Sequence, residues 1–126
     1  MARYMLDASF LIDHLRGLPE ATRRFIAMNE AGDALIISDV AAAEVWSGRP
    51  TEEPAFADLV RYLEFAQPGP DTSRLAGRWR AEARGRGASL ELTDALIAAS
   101  AHHLDAAVLT RNVRDFVLTP VRVETY

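Results

Sequence analysis

Four carboxylates in this chain, Asp7, Glu44, Asp94 and Asp115, stand where an α/β fold can bring side chains to one edge of a sheet. Asp7 follows the short apolar run Tyr4-Met5-Leu6 and precedes Ala8, Ser9 and a helical pattern that starts at Phe10-Leu11-Ile12. In an open α/β sheet, ligands bind in the crevice beyond the carboxyl ends of the strands, so an Asp ending a central first strand stands on the crevice floor. Asp115 lies in the loop after a later apolar strand, close behind Asn112, and belongs to the same rim by position. Glu44 reaches it because its helix starts there. Asp94 opens a helix that precedes a strand and would ordinarily begin at the opposite edge. It joins the others only if the segment 71–92 first carries the chain back. Carboxylates gathered in this way offer oxygen ligands, and their charge counts as negative only until a metal ion arrives.

Each acid also has a purely structural explanation. The macrodipole favours any carboxylate in the first turn of a helix, which accounts for Asp94. Asp115 fits a turn, since Asn and Asp bond their own backbone in loops. Glu44 suits a solvated helix position. Asp7 is the hardest to explain this way, because the apolar strand before it should be buried. Taken singly, the structural reading wins for all but Asp7.

The elements that must position these residues follow from hydrophobic period and breaker residues. Residues 3–6 read as a buried strand and 9–15 as a short helix stopped by Gly17 and Pro19. A second helix spans 20–30, with Ala21, Phe25 and Met28 at helical spacing and Gly32 beyond its end. Leu35-Ile36-Ile37 is a continuous apolar run, the mark of a strand covered on both faces. Ser38 or Asp39 can cap the helix 40–47, which ends at Gly48 and Pro50. The pattern predicts a further helix over 54–65, and a loop over 66–70 holding at most a very short edge strand. An Arg-rich helix over 71–84 is broken at Gly85-Arg86-Gly87, and Thr93 caps a helix over 94–103. Residues 106–109 form another apolar strand, 110–120 an irregular loop, and 121–125 alternate as a half-exposed edge strand should. Alternating strands and helices predict an α/β class with a mainly parallel sheet.

At 126 residues the chain (1–126) reads as one domain, long enough to bury a real core. No apolar run approaches a membrane span, and the first residues lack the pattern of a secretory signal. Cys is absent, which removes disulfides and thiolate metal sites, and the expected location is cytoplasmic. A formal net charge of −4 argues against a nucleic-acid-coating role, but not against an enzyme that meets phosphodiesters through metal ions. All 14 basic residues are Arg, a pattern codon bias explains, and any mechanism that needs a lysine is excluded.

Four blocks occur in order: Leu6-Asp7-Ala8-Ser9-Phe10-Leu11-Ile12, Ser38-Asp39-Val40-Ala41-Ala42-Ala43-Glu44-Val45-Trp46-Ser47-Gly48, Leu92-Thr93-Asp94-Ala95-Leu96-Ile97-Ala98-Ala99, and Thr110-Arg111-Asn112-Val113-Arg114-Asp115-Phe116. Together they resemble the PIN-domain ribonucleases, and most closely the VapC-type toxins of prokaryotic toxin–antitoxin pairs. The resemblance implies a PIN-like fold with a parallel sheet ordered 3-2-1-4-5 and its acids converging at the centre. It implies that Asp7, Glu44 and Asp94 are metal-binding catalytic acids. For the fourth position the family offers two solutions, Asn112 or the Asp115-Phe116 pair, and Asp115 is the expectation here. Ser9, Thr110 and Asn112 are then supporting groups. It further implies Mg²⁺ or Mn²⁺ as cofactor, RNA as substrate, a homodimer, and a cognate antitoxin that blocks the site, often with a basic side chain.

Hard divalent ions prefer oxygen ligands and keep several waters, so such a set makes chemical sense. No histidine is needed as base: His14 reads as solvated, and His102 and His103 face apart on one helix. Arg111 and Arg114 flank the fourth acid and are candidate phosphate contacts for RNA. Arg74, Arg78, Arg80 and Arg84 form either an RNA-holding stripe or a solvated salt-bridged face, with Trp79 and Trp46 expected in the core. A phosphoacceptor domain needs a lysine, a dehalogenase-like phosphatase wants Asp where Ser9 stands, and a dinucleotide binder needs a glycine fingerprint. The surviving alternatives are a non-catalytic PIN-like RNA- or protein-binding module and a DNA-directed nuclease of the same fold.

Overall fold

The computed structural model of the chain describes residues 1–48 and 53–126. Among these residues the strands are β1 (Arg3–Leu6), β2 (Ala34–Ser38), β3 (Glu64–Ala66), β4 (Ala107–Leu109) and β5 (Val123–Glu124). The helices are α1 (Ala8–Leu15), α2 (Pro19–Glu30), α3 (Asp39–Gly48), α4 (Glu53–Val60), α5 (Pro70–Gly85) and α6 (Leu92–His103), with a 3-10 helix at Val113–Phe116. The strands form one five-stranded sheet in the order β3-β2-β1-β4-β5. Every pairing is parallel. This is the expected architecture, down to the strand order.

The centre of the sheet is sealed on both faces. Met5 and Leu6 are neighbours, so they point to opposite sides, and both are completely buried; so are Ile36 and Ile37, and Val108 and Leu109. That is why these strands read as unbroken apolar runs. Helix α6 is built of small residues (Ala95, Ala98, Ala99, Ala101) that let it lie close against β1, β4, α3 and α5.

The direction of α6 decides where Asp94 lies. Arg3, at the start of β1, donates from Nε to the Leu104 carbonyl at 2.7 Å, so the end of α6 sits at the amino edge of the sheet. Its beginning, with Asp94, therefore lies at the carboxyl edge. Helix α5 packs along α6 as the other arm of a helical hairpin and returns the chain to that edge. The turn uses Gly87 at φ 74, a left-handed conformation that suits glycine, and Arg80 Nε ties it down on the Leu90 carbonyl at 2.9 Å. The condition set by the sequence for Asp94 is met.

Several local expectations are corrected. Helix α4 stops at Val60, and residues 64–66, read as helix end and loop, form β3 instead. The apolar pattern does continue at helical spacing, but the open edge of β2 offers Ile36–Ser38 as partners to Glu64–Ala66, and the ladder wins. Helix α6 starts at Leu92 with Glu91 at its N-cap, so Thr93 lies inside the first turn rather than capping it. At α3 the cap is Ser38, whose Oγ accepts from the Ala41 N–H at 3.2 Å. The stop signal expected at Pro50 lies outside the described residues. His14 is half-buried rather than solvated, stacked on Phe25 with ring centroids 4.5 Å apart, and burial lowers its pKa. Trp79 is buried as expected, whereas Trp46 stays partly exposed, edge-on against Phe56 at 4.8 Å. Among the described residues no helix is long and apolar enough to cross a membrane.

Candidate active site

The site begins at the last rung of the central ladder. Leu6 pairs with Leu109, and the Asp7 N–H continues the pairing by donating to the Leu109 carbonyl at 3.0 Å. The chain then turns into α1, and the Asp7 carbonyl accepts from the N–H groups of Phe10 at 3.1 Å and Leu11 at 3.3 Å. An Asp at this N-cap position would ordinarily lend its side chain to the helix. Here it makes no cap hydrogen bond. Its Oδ2 accepts instead from Ser9 Oγ at 2.9 Å and Thr110 Oγ1 at 2.7 Å. Among the described residues no donor reaches Oδ1.

The two hydroxyls are themselves held. Ser9 Oγ and Thr110 Oγ1 lie 3.1 Å apart, Arg111 N–H donates to Ser9 Oγ at 3.1 Å, and Asn112 N–H donates to Thr110 Oγ1 at 2.9 Å. Ser9 and Thr110 thus fix the Asp7 carboxylate. Asn112 contributes its backbone: its carbonyl accepts the Asp115 N–H at 2.9 Å and starts the turn that presents Asp115.

Electrostatics link all four predicted acids. The Asp94 carboxyl is pushed up to about 7, first by burial and then by the negative charges of Asp115, Asp7, Glu44 and Glu91. Glu44 is raised as well, by burial and then by Asp7. A raised carboxylate pKa with several acidic neighbours marks groups that cannot all ionise without cost. Among the described residues, however, no three His, Asp or Glu side chains close around a point as a finished ion cage would. Charge coupling reaches further than coordination, and the two findings together describe an open, acid-lined rim. Such a donor set, all oxygen and mutually repelling, fits a hard cation that retains part of its water.

Arg111 and Arg114 fare differently from each other. Arg114 is exposed on the 3-10 helix beside Asp115. Arg111 directs its guanidinium to the buried Asp13, Nη1 to Oδ1 at 2.5 Å. The sequence reading missed Asp13, Tyr126 and Glu91. A signal for Asp13 existed, since it lies one helical turn from Ser9 on the inward face of α1. Tyr126 had none. Cavities lie elsewhere on the molecule, one of about 210 Å³ lined by Arg3, Tyr4, Arg122 and Glu124 at the amino edge, away from the acids.

Comparison with known proteins is consistent along the chain. Residues 4–119 match the family model described as PIN domain. Ribonuclease VapC19 of Mycobacterium tuberculosis (strain CDC 1551 / Oshkosh) is 30% identical over 117 residues, covering 92% of this chain and 94% of that protein. Among solved structures, VapBC2 from Rickettsia felis, bound to a DNA fragment from its promoter, superposes with a TM-score of 0.87 at 19% identity, covering 98% of each chain. A toxin–antitoxin complex from Klebsiella pneumoniae gives a TM-score of 0.77 at 27% identity, over 97% of this chain and 96% of the other.

Proposed function

Because the chain belongs to the PIN-domain family, we propose that it is a metal-dependent endoribonuclease acting as the toxin of a VapBC-type toxin–antitoxin pair. One observation supports this most: the Asp94 carboxyl is held near neutrality by burial and by the charges of Asp115, Asp7 and Glu44. The charges of acids from the three other sequence blocks thus bear on Asp94, which supports a shared rim.

Asp7, Glu44 and Asp94 would hold Mg²⁺ or Mn²⁺, with Asp115 as the fourth acid. Bound there, the ion supplies an activated water and offsets charge on the attacked phosphate and the leaving oxygen. The chain's own contribution is placement. Ser9 and Thr110 hold one oxygen of Asp7, which fixes the carboxylate plane and leaves the other oxygen for binding. Arg114 offers a phosphate contact next to Asp115. The histidines take no part: His14 is packed against Phe25, and His102 and His103 lie at the far end of α6.

The same rim explains inhibition. A cluster of uncompensated carboxylates is a socket for an arginine or lysine from a partner, since a guanidinium fork pairs with carboxylates in two bonds. A cognate antitoxin would use it, on a toxin that we expect to be a homodimer working on RNA in the cytoplasm. The test is incubation of the purified protein with mixed RNA and mixed single-stranded DNA pools, with Mg²⁺ or with chelator, followed by sequencing of new ends. RNA cut only with metal, leaving 5′-phosphates, is the expected result. Cleavage that survives chelation, or 2′,3′-cyclic phosphate ends, would overturn it, and preferential cutting of DNA would move the substrate.

A further inference from the structure

We propose that Asp13 and Tyr126 are positioning residues that hold the Arg111 guanidinium at the carboxyl rim as a binding arm for a phosphate of the RNA strand. The inference rests on the nuclease reading and names a substrate contact for the same site.

Asp13 is a charged residue only 4% exposed in the last turn of α1. A buried carboxylate is costly unless its oxygens are matched, and both are. Oδ1 accepts from Arg111 Nη1 at 2.5 Å and Oδ2 from the Tyr126 hydroxyl at 2.6 Å. The Tyr126 ring is steadied edge-on against Phe10, with centroids 5.0 Å apart at 78°. Three elements distant in sequence therefore meet on one buried acid. Nothing in the catalytic scheme above uses it.

The cluster is asymmetric. The Arg111 side chain is 53% exposed while its partner Asp13 is 5% exposed. Ion pairs such as Arg74–Asp71 and Arg61–Asp58 leave both partners in solvent, where they contribute little. Here the acid is sunk and the base stands out. Only Nη1 is engaged, and among the described residues Nε and Nη2 have no acceptor. A planar guanidinium with free donors is suited to phosphate oxygens, and one whose rotamer is already fixed loses less entropy on binding. Position completes the case. Arg111 N–H donates to Ser9 Oγ, which in turn donates to Asp7, so the arm starts two hydrogen bonds from the proposed metal-binding carboxylate. Ser9 and Asp13 are four residues apart on α1, so backbone and side chain of Arg111 grip successive turns of one helix face.

The test is binding of a fluorescent single-stranded RNA pool by the full chain in the Asp94→Asn background, where the strand is held and not cut. Arg111→Ala should weaken binding about fivefold and reduce the slope of log K against log salt by about 0.7, the share of one single-strand phosphate contact. Tyr126→Phe removes only a hydroxyl and should weaken binding two- to threefold. The double variant should bind no worse than Arg111→Ala alone, because Tyr126 acts through Arg111. Affinity and salt slope unmoved by Arg111→Ala would overturn the proposal, as would losses that multiply in the double variant. A Tyr126→Phe protein that melts earlier yet binds as before would make the cluster merely structural. Wild-type cleavage with Mg²⁺, assayed in parallel, judges the nuclease reading separately.

Discussion

Thr110 Oγ1 donates to Asp7 Oδ2 at 2.7 Å, a bond across 103 residues of sequence between the ends of two adjacent parallel strands. The register brings the two together: Leu6 stands opposite Leu109, so residues 7 and 110 follow directly beyond the last paired rung. Thr110→Val keeps the shape and removes a fully buried hydroxyl, which takes a donor from Asp7 Oδ2 and leaves the part-buried Asn112 N–H without its acceptor. Stability should fall by about 1–3 kcal/mol. Metal-dependent cleavage should drop at least tenfold, and Thr110→Ser should recover most of both. Urea melts and initial rates on one RNA check this, and a Val variant with wild-type rates would remove Thr110 from the site.

Metal binding should be visible without any catalysis. An ion that binds only the folded form stabilises it by mass action, about 2.7 kcal/mol at a hundredfold excess over Kd. The melting temperature should rise with Mn²⁺ or Mg²⁺, and the rise should shrink in Glu44→Gln and Asp94→Asn. Asp58→Asn is the control, since Asp58 is exposed on α4 and its nearest cation among the described residues, Arg61, lies 3.9 Å away. Asp7→Asn is less clean than its charge suggests, because an amide must also satisfy the Ser9 and Thr110 hydroxyls. It should abolish activity and cost some stability before metal is added. An equal metal response in all variants would mean that the ion sits elsewhere.

What the sequence disclosed and what it concealed follow one physical division. Met5-Leu6 and Ile36-Ile37 were legible as central strands because burial on both faces leaves an unbroken apolar run, and Asp7 was legible because it ends such a run. β3 was hidden: Leu59, Val60 and Leu63 keep helical spacing into it, and only the edge of β2, remote in sequence, converts Glu64–Ala66 to strand. Asp94's place at the rim was equally non-local, since it depends on α5 and α6 forming a hairpin. The family resemblance supplied that step where periodicity stopped. Asp13 was passed over because an acid on a short helix is usually solvated, and its burial depends on Arg111 and Tyr126, near the other end of the chain.

The fourth acid can be assigned by substitution. Asp115 ranks first among the charges that raise Asp94, whereas Asn112 enters the site through its backbone. Asp115→Asn should therefore lower cleavage at least tenfold and bring the Asp94 titration down. Asn112→Ala should cost less than threefold, because the backbone bonds to Thr110 and Asp115 persist. Rates with saturating Mg²⁺ and NMR titration of the Asp94 side chain are the measurements. A large loss in Asn112→Ala with a small one in Asp115→Asn would reverse the assignment.

The last prediction concerns pH. Asp94 titrates near 7 in the folded, metal-free protein, against an ordinary value of 3.8. Between those limits the folded form holds a proton that the unfolded form has released, so stability from this group is fully present below about pH 4 and lost as pH rises through about 7. Glu44 is shifted in the same direction and adds to the slope. His14 opposes it, because its lowered pKa makes the unfolded state the better proton acceptor below the ordinary histidine range. A difference measurement removes that complication. Asp94→Asn has no such proton to lose, while Glu44, His14 and every other group remain. In chelator, its melting temperature relative to wild type should climb steadily from pH 5 to pH 8. Saturating Mn²⁺ should reverse the order at the alkaline end, since the ionised carboxylate then has a cation and Asn does not. If the two proteins keep a constant gap across that range in chelator, Asp94 is not held protonated by its neighbours, and the shared acidic rim loses its main support.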